Sequence, residues 1–255
     1  MLLAIDIGNT ETKLGIFEDG ADKLTQHWRV TTESRRTPDE YGVFLAQLFA
    51  LAGVPPTAVN AVVIASVVPK LDRTLSDACR RLFGKAPVFF KPNRQSVMRI
   101  LTKRPGEVGA DLVAAAIGAY ETYGAPLIIV SYGTATVFMA ISAEGDYLGV
   151  AIAPGITISI DALVGRTAKL PQISLEAPGS AIGRDTISAL QSGIIYGFVG
   201  QTEALITRMR KEMGVEARAV ATGGLAQIVA KHTSFIETVN PHLSLLGLRS
   251  YYQRL

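Results

Sequence analysis

Apolar residues crowd the start of the chain. Leu2–Ile7 is apolar except for Asp6, a run that predicts a strand buried on both faces. Glu11–Phe17 returns from it, and the turn "EDGADK", at Asp19–Gly20, leads to Leu24–Val30, so the chain opens as a β-meander. The period then changes. "TPDE" at Thr37–Glu40 is a capping box with Pro38 at the first helical position, and it predicts an amphipathic helix to about Ala52 that Gly53 and Pro55-Pro56 end. Val62–Ser66 reads as a buried strand, the segment after Pro69 as a helix to about Phe83, and Val88–Phe90 as a short strand. Strands alternating with helices predict that a parallel sheet grows beyond the meander.

The second half repeats this order. An Ala-rich helix at Asp111–Tyr123 precedes strands at Leu127–Ser131, Thr136–Ser142 and Tyr147–Ala153, with a turn at Glu144-Gly145. Helices at Ile156–Val164 and Thr186–Met213, a strand at Arg218–Thr222, a tight turn at Gly223-Gly224 and helices at Leu225–Lys231 and Leu246–Arg254 complete the reading. Strand, loop, strand, turn, strand, then helix and strand thus occur twice, offset by 125 residues. Two short apolar hairpins can coincide by chance. Gly8 and Gly133, each followed by small residues with donors, argue for duplication. The expected fold class is α/β, with mixed sheets flanked by helices in an N-terminal lobe (residues 1–115) and a C-terminal lobe (residues 116–255).

Composition narrows the function. With 48% apolar and 18% charged residues, the 255-residue chain can build a sizeable core. A net charge of +3 without any Lys/Arg-rich tail gives little support to nucleic-acid binding. A single cysteine, Cys79, excludes an intramolecular disulfide and fits a reducing compartment. The chain enters "AIDIG" without a basic leader, and no apolar run approaches the roughly 20 residues that span a bilayer. A cytoplasmic protein without membrane or nucleic-acid partners is expected. His27, His232 and His242 lack zinc-ligand spacing.

The two glycine loops suit phosphate. A glycine after a buried strand lets the chain turn sharply and lets a ligand approach the amides. Asn9, Thr10, Thr134 and Thr136 add side-chain donors, and two such loops facing each other across a cleft would clamp a polyphosphate. Asp6 at the strand tip suits Mg²⁺ held partly through water. Lys13 reads either as a point charge for phosphate or as a solvated strand residue. In "ATGGLA", Thr222, Gly223 and Gly224 join a strand to a helix; this suits close packing of adenosine, and equally a turn that needs positive φ. Asp111, in "PGEVGADL", suits either a helix cap or a general base for a substrate hydroxyl attacking the γ-phosphate.

Together these segments resemble the type III pantothenate kinases of the acetate and sugar kinase/Hsc70/actin superfamily. The resemblance runs nearly end to end through "AIDIGNT" (4–10), "ASVVP" (65–69), "PGEVGAD" (105–111), "GTAT" (133–136), "YLGVAIAPGI" (147–156), "ALVGRTAKLP" (162–171), "IGRDT" (182–186), "QSGIIYG" (191–197) and "ATGG" (221–224). It implies two RNase H-like lobes, a dimer, and ATP-dependent phosphorylation of pantothenate, the first step of coenzyme A synthesis. Mg²⁺ and a monovalent cation, K⁺ or NH₄⁺, are implied with it. Asp6, Gly8, Asn9 and Thr10 would then serve the first phosphate loop, Gly133 and Thr134 the second, and Asp6 the metal. Gly109, Ala110 and Asp111 would line the pantothenate site, with Asp111 the base and Thr186 reaching into the pocket of the neighbouring subunit.

The chain departs from the family at pointed places. By that resemblance, Leu112 stands where the family usually has an Arg that grips pantothenate, and Thr102 where it usually has a Tyr lining the same pocket. Ser131 and Met139 replace two Asp of the second loop and its strand, and Leu246 replaces a Glu. Losing the charge-assisted grip, worth roughly 1.5–3 kcal/mol, would weaken acceptor binding about tenfold or more. Losing carboxylates at Ser131 and Met139 would weaken cation binding. Three readings follow: a degenerate subunit whose active site a complete paralogue finishes, a self-sufficient homodimeric kinase, and a non-catalytic regulator that keeps the fold. The first is the leading expectation. A sugar or acetate kinase fits less well, because the matched segments extend beyond the phosphate loops.

Overall fold

The computed structural model describes residues 1–18, 23–95, 97–167 and 169–255, so the turn expected at Asp19–Gly20 lies outside the described residues. The elements in chain order are β1 (Leu2–Ile7), β2 (Glu11–Phe17), β3 (Leu24–Thr31), α1 (Pro38–Leu51), β4 (Ala61–Ser66), α2 (Pro69–Phe83), β5 (Val88–Phe89) and α3 (Ala110–Tyr123). There follow β6 (Leu127–Tyr132), β7 (Ala135–Ile141), β8 (Tyr147–Pro154), α4 (Ile156–Gly165), α5 (Thr186–Met213), β9 (Arg218–Thr222), α6 (Ala226–Ala230), β10 (Thr238–Val239) and α7 (Leu243–Tyr252).

The chain divides into two compact units. Met1–Met98, Lys103–Glu121 and Leu243–Leu255 form the first; Arg99–Thr102 and Thr122–His242 form the second. In the first, the strand order is β3-β2-β1-β4-β5, with β1 antiparallel to β2 and parallel to β4. β1 is the middle strand, covered on both faces, which is why its residues do not alternate in polarity. Leu3, Ile5, Ile7, Leu14 and Ile16 pack on one face against Tyr41, Leu45 and Phe49 of α1 and Leu71, Leu75, Cys79 and Phe83 of α2. Each such large side chain contributes about 1.5–3 kcal/mol on burial. Cys79 is a small buried core residue, as its amphipathic position predicts.

The opposite face of this sheet lies under α7, which packs on β1, β2 and β4. The helices α3 and α7 meet backbone to backbone through two glycines. A Cβ on Gly118 would stand 2.0 Å from the Leu243 carbonyl oxygen, and one on Gly247 1.8 Å from that of Ala114. This contact joins the C-terminal helix to the first unit. A division drawn from the repeat alone cannot place it.

The second sheet runs β10-β9-β6-β7-β8. It reproduces the first with β6, β7, β8, β9 and β10 standing where β1, β2, β3, β4 and β5 stand, so the duplication extends from sequence to topology. Ile128, Val130, Tyr132 and Phe138 pack against Ile156 and Ile160 of α4, Phe198 and Ile206 of α5, and Val229 of α6. The long helix α5 starts on an Asp185 capping box and stops at Gly214, which is left-handed at φ 68°. The strand β10 is only two residues long and has no periodic signal to predict it. The helix α7 begins at Leu243, three residues before the sequence reading begins it.

Candidate active site

The two glycine loops share one hydrogen-bond pattern. Gly8 N donates to Glu11 O at 3.0 Å, and Thr32 N at the end of β3 donates to Thr10 O at 2.9 Å. In the second unit Gly133 N donates to Ala135 O at 3.1 Å, and Gly155 N at the end of β8 donates to Thr134 O at 3.2 Å. Asn9, Thr10, Gly133 and Thr134 are exposed at the tips of these loops. Thr136 is a correction. It is fully buried, because its register partner is Tyr132, whose ring belongs to the core under α5, so its hydroxyl is not offered at the loop surface.

Asp6 sits at the end of β1, directly across from Lys13 on β2. Its carboxylate is only 5% exposed. Oδ2 accepts a 2.6 Å hydrogen bond from Ser244 Oγ on α7, with Lys13 Nζ 3.7 Å away. Oδ1 is buried without a hydrogen-bond partner among the described residues. Asp111, half-buried in the first turn of α3, completes the group. Burial pushes its carboxyl above the ordinary range, and the Asp6 charge pushes it further, against weaker opposition from the Leu112 amide and Lys13. Asp111 accepts a hydrogen bond from the Leu112 amide at the helix end, and it feels a second carboxylate.

Gly109 makes room for this carboxylate. A Cβ there would lie 2.6 Å from Asp111 Oδ1, the mobile end of a side chain rather than backbone. Gly109→Ala is thus expected to displace the carboxylate without unfolding the chain. A kcat reduced about 100-fold at nearly unchanged melting temperature is the expected outcome, read by steady-state kinetics beside calorimetry.

A cavity of about 460 Å³ opens in the first unit, lined by Ser66 and Val67, Phe90–Asn93 and Gly106–Ala110, the residues just before Asp111. It lies past the C-terminal ends of the parallel strands β4 and β5, where α/β sheets place ligands. Lys91 and Asn93 are exposed on its wall. Glu107, also on the wall, is held by Arg104 at 2.9 Å. Neither Lys91 nor Asn93 has a motif to single it out in the sequence. Ser244 also went unforeseen; its signal is Asn240, whose Oδ1 accepts from His242 N at 2.9 Å just before α7 begins.

The "ATGG" segment ends β9 beside β6, with Ser131 paired to Thr222. Thr222 is buried. Gly223 has φ +96°, and a Cβ there would come 2.3 Å from the Tyr132 carbonyl oxygen, so backbone geometry alone demands a glycine. The helix after it, α6, has five residues, fewer than the sequence reading assigns and too few for a useful dipole at its start. Thr186 is exposed in the first turn of α5.

The chain matches the type III pantothenate kinase family over residues 2–208. A type III pantothenate kinase of Anaeromyxobacter sp. (strain K) is 48% identical over 254 residues, covering 100% of this chain and 99% of its own. One from Moorella thermoacetica is 47% identical over 254 residues, again covering 100% and 99%. This chain belongs to the type III pantothenate kinase family. Solved structures agree on the fold. A Campylobacter jejuni protein assigned to the Baf family of transcriptional activators superposes with a TM-score of 0.63 at 18% identity, covering 99% of this chain and 98% of its own. An inorganic polyphosphate/ATP-glucomannokinase from Arthrobacter sp. strain KM gives 0.51 at 14% identity, covering 100% and 99%. The chain shares its fold with these two proteins.

Of the positions expected to depart from the family pattern, two lie together in the second unit. Ser131 pairs with Val137, and Met139 with Ile129, so Ser131 and Met139 lie on the same face of neighbouring strands. Met139 is fully buried, in a place where a carboxylate would need a cation beside it. Thr102 lies in the second unit, in a stretch tied to the start of β8 by Leu101 N donating to Tyr147 O at 2.8 Å and by the fork of Arg99 on Asp146. Leu112 is half-buried on α3, next to Asp111. Among the described residues no helix is long and apolar enough to cross a membrane.

Proposed function

We propose that the protein phosphorylates pantothenate with ATP, giving 4′-phosphopantothenate at the entry to coenzyme A synthesis, and that its own Asp111 does the proton chemistry. The observation that carries this reading is Asp111 held near Asp6 and Lys13, directly after Gly109 and Ala110, which line a cavity. Asp111 accepts the proton of the acceptor's primary hydroxyl as that oxygen attacks the γ-phosphorus. The bond between the γ-phosphorus and its bridging oxygen breaks, and ADP leaves. Lys13 and the amides and side chains of Gly8–Thr10 hold phosphate oxygens in place. The raised proton affinity of Asp111 makes it a better proton acceptor than an ordinary carboxylate.

The residues present fit Mg²⁺. Among the described residues no three His, Cys, Asp or Glu side chains gather to form a cage, and Asp6 Oδ1 is a buried carboxylate oxygen without a partner. Mg²⁺ characteristically takes one or two carboxylates and fills its other positions with phosphate oxygens and water. Asp6 would hold it; when bound, it neutralises charge on the β- and γ-phosphates. With Ser131 and Met139 in the second unit, little dependence on K⁺ or NH₄⁺ is expected.

Pantothenate carries a carboxylate, and Leu112 cannot grip it. Lys91, on the wall of the cavity, supplies a cation for that role, while Arg104 neutralises Glu107. Lys91→Met is expected to raise the KM for pantothenate about tenfold with kcat nearly unchanged. The reaction itself is tested by mass spectrometry of the product formed from ATP, Mg²⁺ and pantothenate, beside acceptors lacking the carboxylate. Phosphopantothenate as the dominant product supports the reading; indifference to the carboxylate, or no phosphorylated product, overturns it.

A second reading makes the chain a degenerate subunit completed by a full paralogue. The replacements at Thr102, Leu112, Ser131 and Met139 favour it. In either reading the chain works as a dimer. Support comes from apolar side chains left exposed on the second unit near Thr186: Ile187 at 50% and Ile182 at 79%, with Ile152 at 67% on β8 and Ile158 at 46% on α4. A second copy, or the paralogue, would cover them.

A further inference from the structure

We propose that Ser244 is a positioning residue for the metal carboxylate: the C-terminal helix holds Asp6 so that one oxygen, Oδ1, is presented to the cation. This rests on the reading of Asp6 as the Mg²⁺ carboxylate. The torsion that turns a carboxylate about its own axis is soft and broad, so an Asp at the end of a strand does not choose an orientation by itself. Here the choice is made from outside. Ser244 Oγ donates to Oδ2 at 2.6 Å, from a helix 238 residues away in sequence, and Lys13 approaches the same oxygen at 3.7 Å. Ser244 is 3% exposed and Asp6 is 5% exposed, so water does not substitute for this bond.

The other oxygen is left alone. A buried carboxylate oxygen without a donor is costly, and it persists where a ligand arrives to satisfy it. The two oxygens have divided the work: Oδ2 is anchored, and Oδ1 is kept for the metal. The anchor depends on how low α7 can sit. Gly118 and Gly247 allow the helices α3 and α7 to touch through their backbones, and this brings the first turn of α7, with Ser244, down onto β1. The same α3 carries Asp111 in its first turn, so one helix pair sets both carboxylates.

The test is metal binding rather than turnover. Mn²⁺ bound with a non-hydrolysable ATP analogue is titrated by electron paramagnetic resonance on the wild type and on Ser244→Ala, Ser244→Cys, Ser244→Thr and Asp6→Asn, each checked for folding by circular dichroism. Ser244→Ala is expected to weaken Mn²⁺ binding tenfold or more. Ser244→Cys, which keeps the shape and weakens the donor, gives the same reading should the alanine variant not fold. Ser244→Thr, which keeps the hydroxyl, should stay within about threefold of wild type. In kinetics the loss should appear in the KM for Mg²⁺, with kcat largely kept at saturating metal. Wild-type metal affinity in folded Ser244→Ala or Ser244→Cys, with Asp6→Asn defective, overturns the positioning role and leaves Asp6 as the metal carboxylate. Wild-type affinity in Asp6→Asn as well overturns the reading of Asp6 itself.

Discussion

Asp111→Asn is expected to lower kcat about 1,000-fold and to raise the melting temperature. The first effect follows from removing a general base, worth roughly 10²–10⁴ in rate. Asparagine keeps the shape and the hydrogen bond at the start of α3, so the loss isolates proton transfer from structure. The second follows from linkage. The folded-state pKa of Asp111 is raised, first by burial and then by the Asp6 charge. A carboxyl raised in this way favours folding while it is neutral, at pH below its unfolded value, and that contribution is lost as pH rises through the folded value. At neutral pH the ionised Asp111 is therefore a net cost, and Asn removes it. Calorimetry at acid and neutral pH should show the stability gain only at neutral pH. Coupled ADP release should show a wild-type acid limb lying above the ordinary carboxylate value of about 3.9.

Asp6→Asn is expected to reduce kcat/KM for Mg·ATP by about 1,000-fold, since a metal clamp on a transferring phosphoryl group is worth several kcal/mol. It also makes a second, independent prediction. The Asp6 charge is the second-largest reason that the Asp111 carboxyl is raised. Removing that charge should shift the residual acid limb to lower pH. The direction matters more than the size. An upward shift, or none, would mean that Asp6 and Asp111 do not sense one another, and the two-carboxylate account of the site would fail. The Asp111 carboxyl carbon followed by NMR gives the same reading where residual turnover is too low to profile.

Much of the fold could be read from the pattern of the chain, and the reasons are local. β1 and β6 are continuous apolar runs because each is the middle strand of its sheet, and the capping box at Thr37 ties its own turn. The departures are long-range or steric. β10 is too short to have a period. α7 belongs with the first unit because Gly118 and Gly247 permit a close approach, a fact of shape that composition does not encode. Within the site, Asp6 and Asp111 stood out because charged residues beside apolar runs are conspicuous. Thr136 reads as a donor from its place near a loop, and the register turns it inward instead. Ser244 and Lys91 lie in no motif, and only the packing of a distant helix and the wall of a cavity bring them forward.

The substituted positions decide between the chain as a working kinase and the chain as a supporting subunit. Leu112 and Ser131 weaken the case for the first, while Asp6, Lys13 and Asp111, gathered in one group, strengthen it. Pantothenate-dependent ADP release by the purified chain alone, wild type beside Asp111→Asn, tests this most directly. The account predicts steady turnover by the wild type with no other protein present, and its near-complete loss in the variant. A wild-type chain silent alone, but active when mixed with a complete paralogue whichever residue stands at position 111, would contradict it.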